Sequence, residues 1–198
     1  MKLEIPAGDF DGYIFDLDGT LIDSMPVHYR AWDQTLRRFG LKEPLDLDLF
    51  YKLGGVPTDL VAETLGRHYG LRLDPAEVMA QKEELYVANI AGVALIEPVV
   101  AVARKFAPTH PMAIVTGGTP DIAIPSLRAA GLEGLFSLVV TPLDVPTGRG
   151  KPAPDMFLLA AQRMGVSPEG CLVFEDAEPG IRAAQAAKMR VVRVDSRR

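Results

Sequence analysis

The sequence predicts an α/β protein: a doubly wound parallel sheet with an inserted α-helical module. Three observations carry that prediction. From Glu97 onward, short apolar runs alternate with helical stretches, as in a parallel sheet covered on both faces. Between Leu41 and Gly92 no convincing strand pattern occurs. Ahead of that region stands one apolar run, Gly12 to Leu17, which must join the later sheet because a lone strand cannot bury both its faces.

Taken in order, Gly12 to Leu17 reads as a short buried strand bounded by Gly12 and Gly19. Ser24-Met25-Pro26 reads as an N-cap with proline just inside a helix. His28, Trp32, Leu36 and Phe39 recur at helical spacing until Gly40. Thr58-Asp59 opens a helix through Gly66, and Asp74-Pro75 opens another that runs towards Gly92. After Glu97-Pro98 come a helix to about Ala107, the run Pro111–Val115, helix Asp121–Ala130 and the run Leu138–Val140. Helix Asp155–Met164, the run Cys171–Phe174, helix Pro179–Met189 and the run Val191–Val194 complete the alternation. The predicted division is a core of residues 1–23 and 94–198 and a helical cap of residues 24–93, joined by two crossings that suit a hinged lid.

Composition narrows the function classes. The chain has 198 residues, 48% hydrophobic and 24% charged, with a net charge of −5. That is ordinary for a globular domain, and it leaves no basic footprint for nucleic acid. Cys171 is the single cysteine, set in an apolar run, so an internal disulfide is impossible and a buried small hydrophobe is expected. The N-terminus lacks the apolar segment of a signal peptide, and the longest apolar stretch, residues 91–96, is too short to span a bilayer. A reducing cytoplasm is the expected location, and the oligomeric state stays open.

Ligands of open α/β sheets bind at the carboxyl ends of the strands, and here those ends are polar. The first run delivers Asp16 and Asp18, two apart and therefore able to point to one side of an extended chain. The run ending at Val115 delivers Thr116-Gly117-Gly118, a hydroxyl and backbone amides suited to an anion. The run ending at Phe174 delivers Glu175-Asp176, which with Asp16 makes an all-oxygen set of the kind Mg²⁺ prefers. Lys151 lies in the proline-bracketed loop Gly150-Lys151-Pro152-Ala153-Pro154. With Asp18 protonated, three carboxylates, one lysine and one Mg²⁺ sum to zero, so a phosphate dianion could enter. Without the metal the crowded acids would repel it.

Asp16-Leu17-Asp18-Gly19-Thr20, Thr116, Lys151 and Glu175-Asp176, in that order, resemble the four signature motifs of the haloacid dehalogenase superfamily of phosphatases and phosphomutases. The segments His28-Tyr29-Arg30-Ala31-Trp32, the expected lid loop Gly55-Val56-Pro57-Thr58, Gly150 to Asp155, Phe157 to Val166 and Phe174 to Ala177 are similar to the β-phosphoglucomutase-like branch, and the last two especially to its fructose-1-phosphate phosphatase-like members. The resemblance implies that Asp16 is a nucleophile forming an aspartyl-phosphate and Asp18 the general acid and base. It implies phosphoryl contacts from Thr116, Gly117 and Lys151, and Mg²⁺ ligation by Asp16, Glu175, Asp176 and the backbone carbonyl of Asp18.

Cap residues are less determined. His28 and Trp32 are one turn apart and share a helix face; both are expected at the substrate, with lid core the alternative for Trp32. Thr58 falls in the expected lid loop. Lys82 matches a lid lysine that contacts substrate in related enzymes, although a solvated charged face with Glu83 and Glu84 explains it equally well. His68 and His110 are expected at the surface. Arg149 is left open between phosphate binding and solvation. Where β-phosphoglucomutases carry a lid arginine that grips a distal phosphate, this chain has Pro57-Thr58. That departure implies hydrolysis of small phosphomonoesters, sugar phosphates above all. A hexose-phosphate mutase is the enzyme alternative and a non-catalytic binding protein a third reading, although every expected acid is present.

Overall fold

The computed structural model describes residues 3–54, 56 and 58–195. Five parallel strands form the central sheet: β1 (Gly12–Phe15), β4 (Met112–Val115), β5 (Val139–Val140), β6 (Cys171–Glu175) and β7 (Arg190–Arg193), in the order β5-β4-β1-β6-β7. The isolated first strand is thus the middle one. It is hydrogen-bonded between β4 and β6, with Phe15 paired to Ile114 on one side and to Phe174 on the other.

Side-chain alternation along β1 divides the core in two. Tyr13 and Phe15 point into a cluster with Val99, Val100, Leu127 and Phe174, covered by α5 (Glu97–Phe106) and α6 (Pro120–Ala129). Ile14 points the other way, into a cluster with Val115, Phe157, Ala160 and Ala183, covered by α7 (Asp155–Met164) and α8 (Glu178–Ala186). Helices on both faces bury both sides of every central strand, which is why these runs are continuously apolar instead of alternating. Cys171 lies fully inside the second cluster.

Two short strands lie where the chain was expected to cross. β2 (Ile22–Asp23) and β3 (Ala94–Leu95) pair antiparallel, Ile22 with Leu95 and Asp23 with Ala94, and the Ile96 amide donates to the Leu21 carbonyl at 2.9 Å. The outgoing and returning chains are therefore stitched side by side. Two-residue strands leave too little pattern to be read from sequence. Between them run α1 (Met25–Arg38), α2 (Leu47–Lys52), α3 (Thr58–Tyr69) and α4 (Pro75–Asn89). These helices enclose their own apolar cluster, with Trp32, Leu36, Phe50, Val61 and Leu65 among its members. A smaller cluster of Val27, Ala31, Tyr86, Ile90 and Ile122 joins α1 and α4 to α6.

Asp74 caps α4 as expected, accepting from the Ala76 and Glu77 amides. Ser24 precedes α1 without capping it; its hydroxyl is engaged elsewhere. His68 is exposed. His110 corrects the surface expectation, because its ring is partly buried and stands edge-on to Tyr13 and Phe106 at 5.3 and 5.4 Å between centroids.

Candidate active site

Strand register brings the acids together. Because Phe15 pairs with both Ile114 and Phe174, the next residue, Asp16, falls beside the residue that follows each, and its amide donates to the Phe174 carbonyl at 2.9 Å. Asp16 is buried, and Lys151 Nζ lies 2.7 Å from its Oδ1 and 2.7 Å from Glu175 Oε2. Glu175 is 1% exposed, and its second oxygen accepts from the Ala177 amide. Asp16, Glu175 and Asp176 each place a carboxylate oxygen within 4.8 Å of the others.

Two glycines permit that crowding. A Cβ on Gly180 would collide with the Glu175 carboxylate, and one on Gly19 with that of Asp176. Gly19 also has φ +81, a backbone region that side chains disfavour.

The electrostatics follow from burial and proximity. Burial raises the Asp16 pKa, with Lys151 opposing. Burial and the nearby Asp16 charge push Glu175 up to about 8 against the pull of Lys151. Burial alone would lower Lys151, yet Asp16 and Glu175 hold it well above the usual lysine range. Asp16 and Glu175 thus share one ammonium, that of Lys151. Asp16 Oδ2 is buried and has no hydrogen-bond partner among the described residues. An all-oxygen donor set with an orphaned carboxylate oxygen fits Mg²⁺.

Asp18, whose charge also acts on Asp16, belongs through its Oδ1 to a second cluster. Its Oδ1 accepts from Ser24 Oγ at 2.6 Å and from the Tyr86 hydroxyl at 3.3 Å, and His28 Nε2 stands 3.5 Å off. Burial would raise its pKa, but His28, Ser24 and the Lys82 charge together hold it below the usual range. Asp18 is thus an anion at neutral pH in this arrangement, not the protonated acid assumed in the sequence-based charge balance. His28 is lowered by burial and by Lys82, against the attraction of Asp18, and its ring stacks on Tyr86 with centroids 4.1 Å apart.

Lys82 is 5% exposed, which rules out the solvated charged face. Its Nζ lies 5.4 Å from the Tyr86 ring centroid, and burial lowers its pKa against the pull of Glu83 and Asp18. Trp32 is placed differently from its expectation at the substrate: it packs in the cluster enclosed by the four helices, the lid-core alternative. Thr58 is the first residue of α3, and no hydrogen bond or ion pair among the described residues joins it to either cluster; Gly55 and Pro57 of the expected loop lie outside the described residues.

At the end of β4, Thr116 is buried and its Oγ1 accepts from the Gly118 amide at 3.1 Å, leaving the hydroxyl proton for an anion. Gly117 is exposed, with no atom within 4 Å of where a Cβ would stand. Arg149 pairs with Asp155 at 2.8 Å, which accounts for it without a phosphate. Ser24, Tyr86 and Ser126 were not singled out as site residues from sequence. Tyr86 could have been found as the residue one turn beyond Lys82 on the same helix face.

A family model for haloacid dehalogenase-like hydrolases matches residues 10–188. The chain belongs to that family. Among haloacid dehalogenase-like relatives, it is 40% identical over 185 residues to the fructose-1-phosphate phosphatase YqaB of Escherichia coli, covering 93% of this chain and 96% of the relative. It is 34% identical over 189 residues to hexitol phosphatase A of the same organism, covering 93% and 83%. The fold is shared with a solved structure of CbbY from Rhodobacter sphaeroides in complex with phosphate, at TM-score 0.81 and 24% identity, covering 92% of this chain and 84% of that one. No helix among the described residues is long and apolar enough to cross a membrane.

Proposed function

We propose that this family member is a Mg²⁺-dependent phosphatase of small phosphomonoesters, sugar phosphates foremost, working through an aspartyl-phosphate on Asp16. The observation that carries the reading is the buried Asp16 carboxylate, with one oxygen held by Lys151 at 2.7 Å and the other without a hydrogen-bond partner among the described residues. The phosphatase relatives support the substrate class.

In the first step Asp16 attacks phosphorus, the ester P–O bond breaks, and Asp18 gives the departing alkoxide its proton. In the second, water attacks the aspartyl-phosphate, Asp18 takes the water's proton, and Asp16 is regenerated as phosphate leaves. Splitting one displacement into two suits a buried nucleophile, and one carboxyl serving first as acid and then as base suits Asp18. Asp18 must therefore take up a proton before the first step, against the groups that now hold it ionised. Lys151, Thr116 and the exposed Gly117 amide would bind phosphoryl oxygens, where positioning supplies most of the catalysis. Asp16, Glu175, Asp176 and the Asp18 carbonyl would hold Mg²⁺. When bound, it neutralises the crowded carboxylates and the phosphoryl oxygens.

Residues 24–93 are read as a cap on a core of residues 1–23 and 94–198, with Lys82 and His28 facing the substrate. Hydrolysis is favoured over mutase chemistry because the segment Val56-Pro57-Thr58 supplies no arginine for a second phosphate. A reducing cytoplasm suits the single thiol. The test is Asp16→Asn assayed for phosphate release from sugar phosphates and p-nitrophenyl phosphate with Mg²⁺. Turnover should vanish on both, and retained turnover would sink the aspartyl-phosphate.

A further inference from the structure

Among the described residues, the side chains that meet the Asp18 carboxylate come from the helical segment. Ser24 is the residue just past the first crossing, His28 lies on α1 and Tyr86 on α4, and all three approach the same oxygen, Oδ1. Asp16 by contrast is held by Lys151 and the sheet. The two acids are thus oriented by different parts of the chain.

Tyr86 is tied back to the core. It is fully buried, and its hydroxyl lies 3.0 Å from Ser126 Oγ on α6. Ser126 Oγ also donates to the Ile122 carbonyl at 2.7 Å. Each hydroxyl has one proton, so Ser126 meets Tyr86 as an acceptor and the Tyr86 proton is shared between Ser126 at 3.0 Å and Asp18 Oδ1 at 3.3 Å. No group in that chain is short of a partner. The stack of Tyr86 on His28, 4.1 Å apart at 15°, fixes the ring as well.

We infer that Tyr86, anchored by Ser126, is a positioning residue that holds Asp18 by Oδ1 and turns Oδ2 towards the leaving group. The inference rests on the proposed role of Asp18 as proton donor. Docking of α4 on α6 then decides whether Asp18 is aimed, while the nucleophile is assembled regardless. A substrate that seats the helical segment properly gains proton transfer, and one that does not is left with attack unaided by an acid.

The leaving group discriminates this from a structural role. A sugar alkoxide needs a proton to depart, whereas p-nitrophenolate does not. Tyr86→Phe keeps the ring, its burial and its stack, and leaves Ser126 the Ile122 carbonyl. It should lower the ratio of kcat/KM on fructose 1-phosphate to kcat/KM on p-nitrophenyl phosphate by about tenfold, a fraction of what a positioned acid contributes; kcat/KM reports the step in which the leaving group departs and not the hydrolysis of the aspartyl-phosphate, in which Asp18 serves both esters alike. Ser126→Ala should move the ratio the same way by less, and it decides the matter if Tyr86→Phe does not fold. Equal loss on both esters, or an unchanged ratio, overturns the inference. Asp16→Asn in the same assays separates the two failures: if it retains turnover, the underlying mechanism is wrong, and if it is dead while the Tyr86→Phe ratio stays put, only the positioning role is wrong.

Discussion

The carboxylate of Asp176 occupies the place where a side chain on residue 19 would begin, and Gly19 at φ +81 is what lets it stand there. The glycine after the paired acids therefore does more than turn the chain: it admits an acid from β6's loop into the site built on β1.

Gly19→Ala should displace Asp176. The left-handed backbone alone costs roughly 1–2 kcal/mol for an L side chain, and the collision with the carboxylate comes on top. Mg²⁺ affinity should weaken by about tenfold or more, as when a ligand or its support is disturbed. Titration of Mg²⁺-dependent phosphate release against metal concentration checks this. An unchanged half-saturating concentration would remove Asp176 from the metal set.

The acid cluster also predicts a pH dependence. Glu175 is pushed from an ordinary 4.5 up to about 8 by burial and Asp16. Between those values the metal-free folded protein keeps a proton that the unfolded chain has released, so this group's contribution to stability falls as pH rises. A cation needs the deprotonated form, so Mg²⁺ binding below about pH 8 expels the proton, and affinity rises with pH by up to about tenfold per unit. Mg²⁺ should raise the melting temperature more near pH 8.5 than near pH 6, a direction set by linkage. Equal rises at both values would show that Glu175 holds no proton there.

Sequence reading went furthest where the signal is local. Apolar runs ending in polar residues located the strands to within about two residues, as helix and strand ends usually permit, and the strand order of the folded sheet places Asp16 beside Glu175. It failed where a residue's work depends on a distant partner. Ser24 looks like a helix cap because serine before proline usually is one, yet its hydroxyl serves Asp18. Tyr86 and Ser126 meet across 40 positions, and neither residue type flags a site. Trp32 is expected beside His28 because four residues bring a helix just past full circle. The excess of about 40° suffices on α1, which lies between the Asp18 cluster and the core of the helical segment.

That rotation yields a contrast between two large side chains on neighbouring helices. Trp32→Ala should cost about 3–5 kcal/mol through the cavity it leaves and lower activity on all esters in proportion to the folded fraction. Lys82→Met keeps the buried stem and removes only the charge, which sits near Asp18 and His28. The ammonium is nearly buried without a close ion-pair partner among the described residues, so its loss should leave stability within about 1 kcal/mol, because a buried unpaired charge is a burden on the fold. KM for sugar phosphates should rise several-fold while p-nitrophenyl phosphate, which lacks the hydroxyls an ammonium could bind, responds less. Urea denaturation and kinetics on both substrates separate the two variants. A Trp32→Ala enzyme that is stable but selectively impaired on sugars, or a Lys82→Met enzyme impaired equally on both, would reverse the assignment of core and substrate faces.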